Sequence, residues 1–526
     1  SNISPLAKLW NIVKVRVAAM KWDFKWMKGF LFYLSMQPQS YYGVFAVLLV
    51  LQICPIWLMP YPAMHDYPNH LARIHILHQY GENEPYQATY RRDTSLIPNL
   101  AMDLVVPALM DIVSIETASK IFLSLVVASF NLGLHCIGLA VNSRPHWNAL
   151  AATFFTYNFA FAYGFVNYLF GLGIYFIALS VWIRYRAMWT VGRMVSAAAL
   201  AMLCYLSHLS AFVFLWISVV CLTAFDVIRG GRLLKSPLLL GLMPLALPAI
   251  AHIVHGVGTQ DKWAMTWWHP LLSKKIIGFA YPFLTYDLIL DFILGVVFVL
   301  FVLLSAKVTG PRFVSRDLFL IGAVFIVIYL ISPMSGARTS YIDRRFLLPA
   351  MVFLLLGIRI DVSRRLGQFV MIGLLGLSFV RVAEVWYCSD RIAREVQSHV
   401  RMLDLLPDGM RIYPMVMHDQ SSARSWLWDM HFFYTAHYAT VYRHAFVPTI
   451  YAWEGAHPLN MRFAVPEYVQ VGRDTSVEEM NWQSILSKYD YVWGYKLPVE
   501  FKSLLLGQGD LVAESGVAML IRVKKQ

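Results

Sequence analysis

An aspartate lies among histidines, in the order His65, Asp66 and His70, directly after the first strongly apolar run of the chain. An Asp at the exit of a membrane span lies at the water interface, where it can stay ionised and still face a lipid-borne substrate. We therefore predict that Asp66, flanked by His65 and His70, is the centre of any chemistry, with the adjacent Tyr67 and Asn69 contacting the substrate. The alternative is an ordinary polar loop.

Three arginines, Arg338, Arg344 and Arg345, occur where the pattern of apolar runs predicts the outer side of a membrane, on which basic residues are disfavoured. A guanidinium group matches a phosphate through two parallel hydrogen bonds, so these side chains could hold the phosphate of a lipid carrier. Tyr341, in the same stretch, is predicted to contact the substrate. Alternatively, Arg344 or Arg345 extends to lipid head groups or pairs with Asp343.

A second aromatic segment combines Trp267 and Trp268 with His269 and Lys274. Indole rings can stack on a sugar ring, and the neighbouring cations can attract a phosphate. We predict these four side chains as substrate contacts. Anchoring of tryptophans at the membrane interface is the alternative explanation.

Membrane-embedded helices must position these residues, because the composition excludes an ordinary soluble domain. The 526 residues are 58% hydrophobic and 14% charged, whereas soluble domains carry about 25% charged residues. The net charge of +13 lies in short clusters between apolar runs, which is typical of loops facing membrane lipids and not of nucleic-acid binding. The five cysteines form no CxxC pair or Cys/His cluster, so neither a disulfide framework nor a zinc site is indicated.

The fold class predicted is a polytopic α-helical membrane protein with a C-terminal extracytoplasmic α/β domain. A span needs roughly 20 apolar residues, and fewer where its ends lie in protein. On that rule about eleven transmembrane helices are predicted, at 41–60, 116–141, 147–164, 168–184, 194–208, 210–227, 237–256, 285–306, 317–333, 346–361 and 366–386. Alternate connections are rich in Lys and Arg, which predicts a cytoplasmic N-terminus and a periplasmic C-terminal region in a bacterial inner membrane.

Three regions follow from this pattern. Residues 1–40 alternate basic and apolar side chains, which predicts a cytoplasmic helix lying on an anionic membrane surface, without a cleavable signal peptide. The transmembrane domain is predicted over 41–387, with a first outer loop, 61–115, that forms two amphipathic interfacial helices. Hydropathy then falls, and 388–526 is predicted to form the periplasmic α/β domain.

The middle of that terminal domain is rich in Trp, His and Tyr, as in YAWEGAHP, which contains Glu454 and His457. Such a surface could bind carbohydrate or pack on the membrane portion. We predict that Glu454 and His457, together with His418, reach over the active site and contribute to acceptor recognition.

Several common chemistries lack their motifs in this sequence. It contains no GxxxxGK[ST] phosphate-binding loop, no HExxH pair and no GxSxG elbow, so nucleotide hydrolysis, zinc proteolysis and serine hydrolysis have no support. Nor does it contain the inverted pair of Gly/Pro-broken segments that marks many secondary transporters.

The order of these features resembles the GT-C superfamily of polytopic glycosyltransferases: a basic start, one span, a long outer loop beginning with an acidic residue, further spans and a terminal outer domain. The resemblance covers the architecture of almost the whole chain, and its sequence signal is the pair His65–Asp66. In that superfamily the acidic residue of the first outer loop is the catalytic base or helps to form the catalytic site. This chain lacks the double-acidic pair that is frequent there, so the resemblance leaves open whether a divalent metal, Mg²⁺ or Mn²⁺, takes part.

The resemblance also implies a polyprenyl-phosphate sugar as donor, with Arg338, Arg344 and Arg345 where the phosphate-binding arginine would lie. Asp66 would take the proton of the acceptor hydroxyl, while cationic groups stabilise the charge on the departing phosphate. In-line attack would invert the anomeric centre. The function expected is transfer of a sugar to a glycan, lipid or protein acceptor of the cell envelope on the periplasmic face.

Other functions stay open at this point. A transporter or flippase of a lipid-linked saccharide would bury ionisable residues near the middle of spans, where Asp291 and His135 are the candidates. An envelope polysaccharide polymerase would share the outer arginines but use an oligosaccharide-diphosphate donor. A purely structural membrane scaffold explains neither Asp66 nor the arginines.

Overall fold

The structure is a computed structural model of the chain. It describes residues 38–230, 239–256, 265–309, 312–336, 339–417, 423–471 and 475–525. The basic helix predicted over 1–40 lies almost wholly outside these residues, as do Arg338 and His418. The chain divides into two compact units, Ser1–Val47 and Leu48–Gln526. Only the start of one helix is described in the first unit, and the site lies in the second.

The helices of the described residues are numbered in chain order. They are α1 Pro38–Leu58, α2 Tyr67–Gln79, α3 Glu84–Thr89, α4 Ala101–Met110, α5 Ile115–Asn142, α6 Trp147–Ala151, α7 Phe159–Tyr163, α8 Val166–Tyr185, α9 Val191–Ser207, α10 Leu209–Gly230, α11 Ala246–Gly256, α12 Leu271–Gly278, α13 Leu288–Thr309, α14 Arg316–Ile331, α15 Leu347–Gly357, α16 Arg365–Leu403, α17 Ala423–Asp429, α18 Tyr438–Arg443, α19 Trp482–Lys488 and α20 Val499–Gln508. Short 3₁₀ helices lie at Ala152–Thr156, Leu239–Leu245, Arg344–Phe346, Met430–Phe432, Thr435–His437 and Val477–Glu479.

Six helices within the described residues are long and apolar enough to cross a membrane. They comprise all or part of α1, α5, α8, α10, α13 and α16. This agrees with a helical membrane protein, but the eleven predicted spans are not confirmed. The spans predicted over 194–208, 317–333 and 346–361 coincide with shorter helices, of which α9 has 17 residues and α15 has 11.

The span predicted over 147–164 is not one helix. It is broken into α6, a 3₁₀ turn and α7, because Asn158 is extended and its side chain accepts a hydrogen bond from the Ala160 N–H at 2.8 Å. Gly164 then ends α7 in the left-handed conformation, at φ 95°. Apolar composition predicted the burial of this segment but not its breaks, which bring its end close to Asp66.

The two helices predicted in the 61–115 segment are present as α2 and α4, and Ser114 caps α5, its Oγ accepting from the Thr117 N–H at 3.3 Å. That α2 lies on the membrane interface stays a prediction, but α2 is not an exposed helix. Its residues from Tyr67 to Leu77 are all buried, because the C-terminal region covers the face that the sequence leaves polar.

The C-terminal region contains a four-stranded mixed sheet in the order β2-β4-β6-β5. Its strands are β2 Ile412–Val416, β4 Tyr491–Tyr495, β5 Gly509–Ser515 and β6 Ala518–Val523. Strands β2 and β4 are parallel, whereas β4–β6 and β6–β5 are antiparallel. Strands β5 and β6 form a hairpin whose turn contains Gly516, at φ 61°.

A second, two-stranded sheet ties the 61–115 segment to the C-terminal region. Its strands, β1 Tyr90–Arg92 and β3 Leu459–Met461, are antiparallel. One face of the larger sheet packs on its own core, which includes Val492 and Ile521. Its other face, with Trp493 and Leu520, joins the core of the helices. The C-terminal region is thus packed against the helical part rather than tethered to it.

Candidate functional site

Asp66 is held by the backbone at the start of α2. Its N–H donates to the Tyr163 carbonyl at 2.9 Å, and the His65 N–H donates to the Ala162 carbonyl at 3.1 Å. A β-carbon at Gly164 would lie 3.0 Å from both the β-carbon and the amide nitrogen of Asp66, so only glycine fits that close approach. The carboxylate makes no capping bond to α2, which leaves it for other partners.

The Asp66 carboxyl is only 5% exposed. The Tyr451 hydroxyl donates to its Oδ1 at 2.8 Å, and the Tyr434 hydroxyl lies 3.0 Å from that of Tyr451. Burial raises the pKa of Asp66 to about 7, although the Tyr451 hydrogen bond and the nearby Arg73 and Arg345 oppose the rise. A buried carboxyl with a pKa near neutrality can exchange a proton under physiological conditions.

His65 lies beside this carboxyl, with its Nε2 3.6 Å from Asp66 Oδ1. Its Nδ1 lies 2.5 Å from the Met430 carbonyl oxygen, which can only accept, so Nδ1 carries a proton. His65 is therefore oriented with Nε2 toward the carboxyl. The pKa of the neighbouring His431 falls to about 3 through burial and the proximity of His65.

His70 is placed differently from the prediction of a catalytic histidine. Its Nε2 lies 3.3 Å from the Gly164 carbonyl, and its Nδ1 lies 3.1 Å from Arg73 Nη2. Burial and Arg73 lower its pKa to about 3, so the ring is neutral with both nitrogens engaged. Arg73 itself forms a two-point ion pair with Asp103, at 2.7 and 2.9 Å. His70 lines the site but is held as part of a buried support beneath Asp66.

Asn69 and Tyr67 face the protein rather than open space. The Asn69 amide donates to the Thr449 carbonyl and accepts from the Tyr451 N–H, both at 2.8 Å. Asn69 therefore holds in place the chain segment that carries Tyr451. The Tyr67 hydroxyl lies 2.6 Å from Ser119 Oγ in the core.

Arg345 is buried but has no carboxylate partner among the described residues. Its Nη1 lies 2.6 Å from His208 Nε2, its Nη2 donates to the Ser340 carbonyl at 3.2 Å, and no described residue forms a hydrogen bond with its Nε. The Tyr168 hydroxyl fixes the backbone by donating to the Arg345 carbonyl at 2.8 Å. A buried guanidinium without an acid is costly unless an anion binds it.

Arg344 is enclosed by aromatic rings. Its guanidinium carbon lies 3.5 Å from the ring centre of Tyr281, 3.9 Å from Trp268 and 5.2 Å from Tyr341. Its Nε and Nη1 have no hydrogen-bond partner within the described ranges. Burial lowers the pKa of Arg344, as it does that of Arg345, which reflects how poorly these charges are solvated.

Asp343 does not neutralise either arginine side chain. Its carboxylate accepts from Lys275 Nζ at 2.6 Å and from Trp268 Nε1 at 2.9 Å. Lys274, Trp267 and His269 are exposed in the structure and lie outside the lining of the site.

One cavity of about 290 Å³ is lined by residues from separately predicted parts of the site. Asp66 and Arg345 both line it, as do Asn167 at the start of α8 and His208 just before α10. A smaller cavity of about 30 Å³ is lined by Arg344, Arg345 and Tyr341. The predicted base and two of the predicted phosphate-binding arginines thus lie around adjoining spaces.

The C-terminal region forms the remaining wall of the large cavity. His457 stacks on Tyr451 with ring centres 5.6 Å apart and an angle of 8°, and Trp453 lies beside them. Glu454 instead points outward and pairs with Arg91 at 3.0 Å. Of the predicted acceptor contacts that lie within the described residues, His457 lines the cavity and Glu454 does not.

The side chains around Asp66 are not arranged to hold a divalent metal ion. Within the described ranges, no group of three or more His, Cys, Asp or Glu side chains is arranged to hold one. The Asp66 carboxylate accepts from a tyrosine, and the His65 proton points to a carbonyl. No step below passes through a metal.

Several residues of this site were missed by the sequence analysis. Tyr451 lies 385 positions from Asp66 in the sequence, Gly164 lies 94 positions from its contact His70, and His208 lies 137 positions from Arg345, so no local pattern links these residues. Asp103 did leave a signal, since it is a charged residue within a mainly apolar helix.

The sequence matches no known protein-family model, and a comparison with curated proteins also finds no match. The roles of the site residues therefore rest on geometry and stay predictions.

Proposed function

We propose that the protein is a glycosyltransferase of the GT-C type in a bacterial inner membrane. It transfers a sugar from a polyprenyl-phosphate donor to a glycan, lipid or protein acceptor of the cell envelope on the periplasmic face. The observation that carries this proposal is the shared cavity, in which a carboxyl with a pKa of about 7 and a guanidinium that forms no ion pair with any described carboxylate both face the same space.

Asp66 is the general base in this proposal. Its Oδ1 is held by Tyr451, and Oδ2 is left to accept the proton of an acceptor hydroxyl. The acceptor oxygen forms a bond to the anomeric carbon as the bond between that carbon and the phosphate oxygen breaks. The electron pair leaves with the phosphate, and the anomeric centre is inverted.

The arginines supply the electrostatic part of the reaction. Negative charge grows on the departing phosphate, and a preorganised guanidinium in a site shielded from water stabilises it strongly. Arg345 faces the reaction cavity, and Arg344 faces the adjoining smaller one. The apolar surfaces of the long helices suit the polyprenyl tail. The aromatic wall of Tyr451, His457 and Trp453 suits an acceptor that contains a sugar ring.

The experiment that tests this function uses purified protein in detergent and a panel of lipid donors, namely polyprenyl-monophosphate sugars and oligosaccharide diphosphates. Transfer from a monophosphate donor, with inversion at the anomeric carbon, supports the proposal. A product that retains the donor configuration contradicts the single-displacement mechanism. Transfer only from a diphosphate donor would assign a polysaccharide polymerase instead.

Transport of a lipid-linked saccharide is the second candidate, and one observation favours it. Arg381 is buried in the candidate span of α16, where it pairs with Glu384 at 2.7 Å and with Asp291 of α13. Buried ions in spans often mark transport pathways. Proteoliposomes that move a lipid-linked sugar across the bilayer, with a purified protein that transfers none, would establish this alternative.

A further inference from the structure

His208 is the single extended residue between α9 and α10, at φ −167° and ψ 135°. Its Nδ1 accepts a hydrogen bond from the Ser210 N–H at 3.0 Å, which caps the start of α10. A backbone N–H can only donate, so Nδ1 carries no proton. In the neutral imidazole the proton therefore lies on Nε2, the nitrogen that faces the cavity.

That proton faces a second donor. Arg345 Nη1 lies 2.6 Å from His208 Nε2, and a guanidinium has no acceptor. Two N–H groups therefore converge on one point of the cavity wall, and Arg345 Nε, more than nine-tenths buried, has no hydrogen-bond partner in the part of the chain that the structure describes. Neither side chain has a carboxylate partner among the described residues. An oxygen that accepts from both groups would relieve the contact.

We infer that His208 Nε2 and Arg345 together bind one phosphate of the lipid donor, with His208 as a phosphate ligand that the arginines alone do not provide. This inference rests on the proposed function and deepens it, because it names a second ligand of the donor phosphate. The backbone of Ser210 and the carbonyl of Ser340 hold the two side chains in place. An imidazole N–H and a guanidinium that share one anion also fix its direction relative to Asp66 in the same cavity.

The test compares the dissociation constants of undecaprenyl monophosphate and of undecaprenol for the purified protein in detergent, by calorimetry. We expect the parent to prefer the phosphate. His208→Phe should weaken phosphate binding by at least about tenfold, since hydrogen bonds to charged groups are worth about 1.5–3 kcal/mol. Its affinity for the alcohol should stay the same. His208→Gln, which keeps a side-chain N–H, should recover part of the preference.

His252→Phe is the matched control, because His252 lines the same cavity without a hydrogen bond to either arginine. Its preference for phosphate should equal that of the parent. A preference unchanged in His208→Phe, or lost equally in His252→Phe, would overturn the inference. If His208→Phe binds neither lipid, the smaller His208→Leu replaces it in the same comparison with His208→Gln, and equal preferences in those two proteins would overturn the inference.

A second measurement uses inorganic phosphate as a competitor of the lipid. Competition by millimolar phosphate against the lipid would show recognition of the phosphate group itself. Lack of competition, with the His208→Phe defect present, would show a site that requires the lipid phosphate. The binding measurement is independent of transfer, so a parent that binds the phosphate but transfers no sugar would contradict the proposed function and leave this inference intact.

Discussion

Burial and one hydrogen bond shift the pKa of Asp66 in opposite directions. Burial disfavours the carboxylate and raises its pKa to about 7, while the Tyr451 hydroxyl stabilises the charged form and lowers it. A base works best when its pKa lies near the working pH. Tyr451 therefore adjusts the pKa of the proposed base, and its removal should raise that pKa.

We predict that kcat/KM for sugar transfer rises with pH and levels off above an apparent pKa near 7. Tyr451→Phe removes a hydrogen bond to the carboxylate, so the pKa of Asp66 should rise and the acidic limb should move to higher pH. The measurement is the pH profile of kcat/KM for both proteins between pH 5 and 9.

Tyr413→Phe serves as the control, because its hydroxyl donates to the Glu467 carbonyl in the core of the terminal sheet, away from the cavity. The acidic limb of the kcat/KM profile of Tyr413→Phe should coincide with that of the parent. A Tyr451→Phe limb that stays in place, or moves to lower pH, would show that this hydroxyl does not stabilise the ionised base.

At the scale of elements, the site depends on the join between α7 and α8. Gly164 ends α7 at φ 95° and lies against Asp66 at the start of α2. The amphipathic pattern of α2 and the acidic residue at its start could be read from the sequence. The break of the 147–164 run could not, because the run is mainly apolar and its polar residues, among them Asn148 and Asn158, do not show which one interrupts the helix.

Gly164→Ala is predicted to lower both stability and transfer. A residue with a β-carbon costs about 1–2 kcal/mol in the left-handed region, and here the new atom would also lie 3.0 Å from Asp66. Thermal unfolding in detergent and the transfer rate measure the two effects.

Gly192→Ala is the matched control, since a β-carbon at Gly192 meets no atom within 4 Å and this glycine lies in the first turn of α9. Its Tm should stay the same or rise slightly. A Gly164→Ala protein with the Tm and transfer rate of the parent would mean that this close approach does not constrain the base.

At the scale of the whole molecule, the C-terminal region completes the site. The sequence predicted its strands and the fall in hydropathy near 387, but α16 runs without a break from Arg365 to Leu403 across that point. The partners of Asp66 and Asn69 in this region lie more than 360 positions away. Contacts at that separation leave no periodic signal in one sequence, so the wall of the cavity could not be predicted.

Asn69→Leu should loosen this wall. The substitution removes both hydrogen bonds to the backbone at Thr449 and Tyr451, so hydrogen exchange of the peptide around 449–453 should accelerate and transfer should fall. Asn83→Leu, which removes only the cap of α3 at Tyr86, should leave exchange at 449–453 unchanged. If exchange at 449–453 is as slow in Asn69→Leu as in the parent, Asn69 does not hold this segment in place.

The orientation in the membrane can be tested by labelling. Arg186 pairs with Asp317 at 3.0 Å, and Arg229 pairs with the same carboxylate, so the basic ends of α8 and α10 meet at α14 as expected of one cytoplasmic face. With the native cysteines replaced by alanine, Glu500→Cys should react with an impermeant maleimide added to spheroplasts. Ser363→Cys should react only after lysis, and the reverse pattern would contradict a periplasmic site.

The central claim is that Asp66 is the base of a glycosyl transfer. It is tested most directly by transfer of radiolabelled sugar from polyprenyl-phosphate donors, comparing the purified parent with Asp66→Asn. We expect transfer by the parent and a loss of at least about a hundredfold in the variant, the contribution typical of a general base. Equal transfer by the two proteins would contradict the role of Asp66, and binding of the donor without transfer by the parent would contradict the enzyme itself.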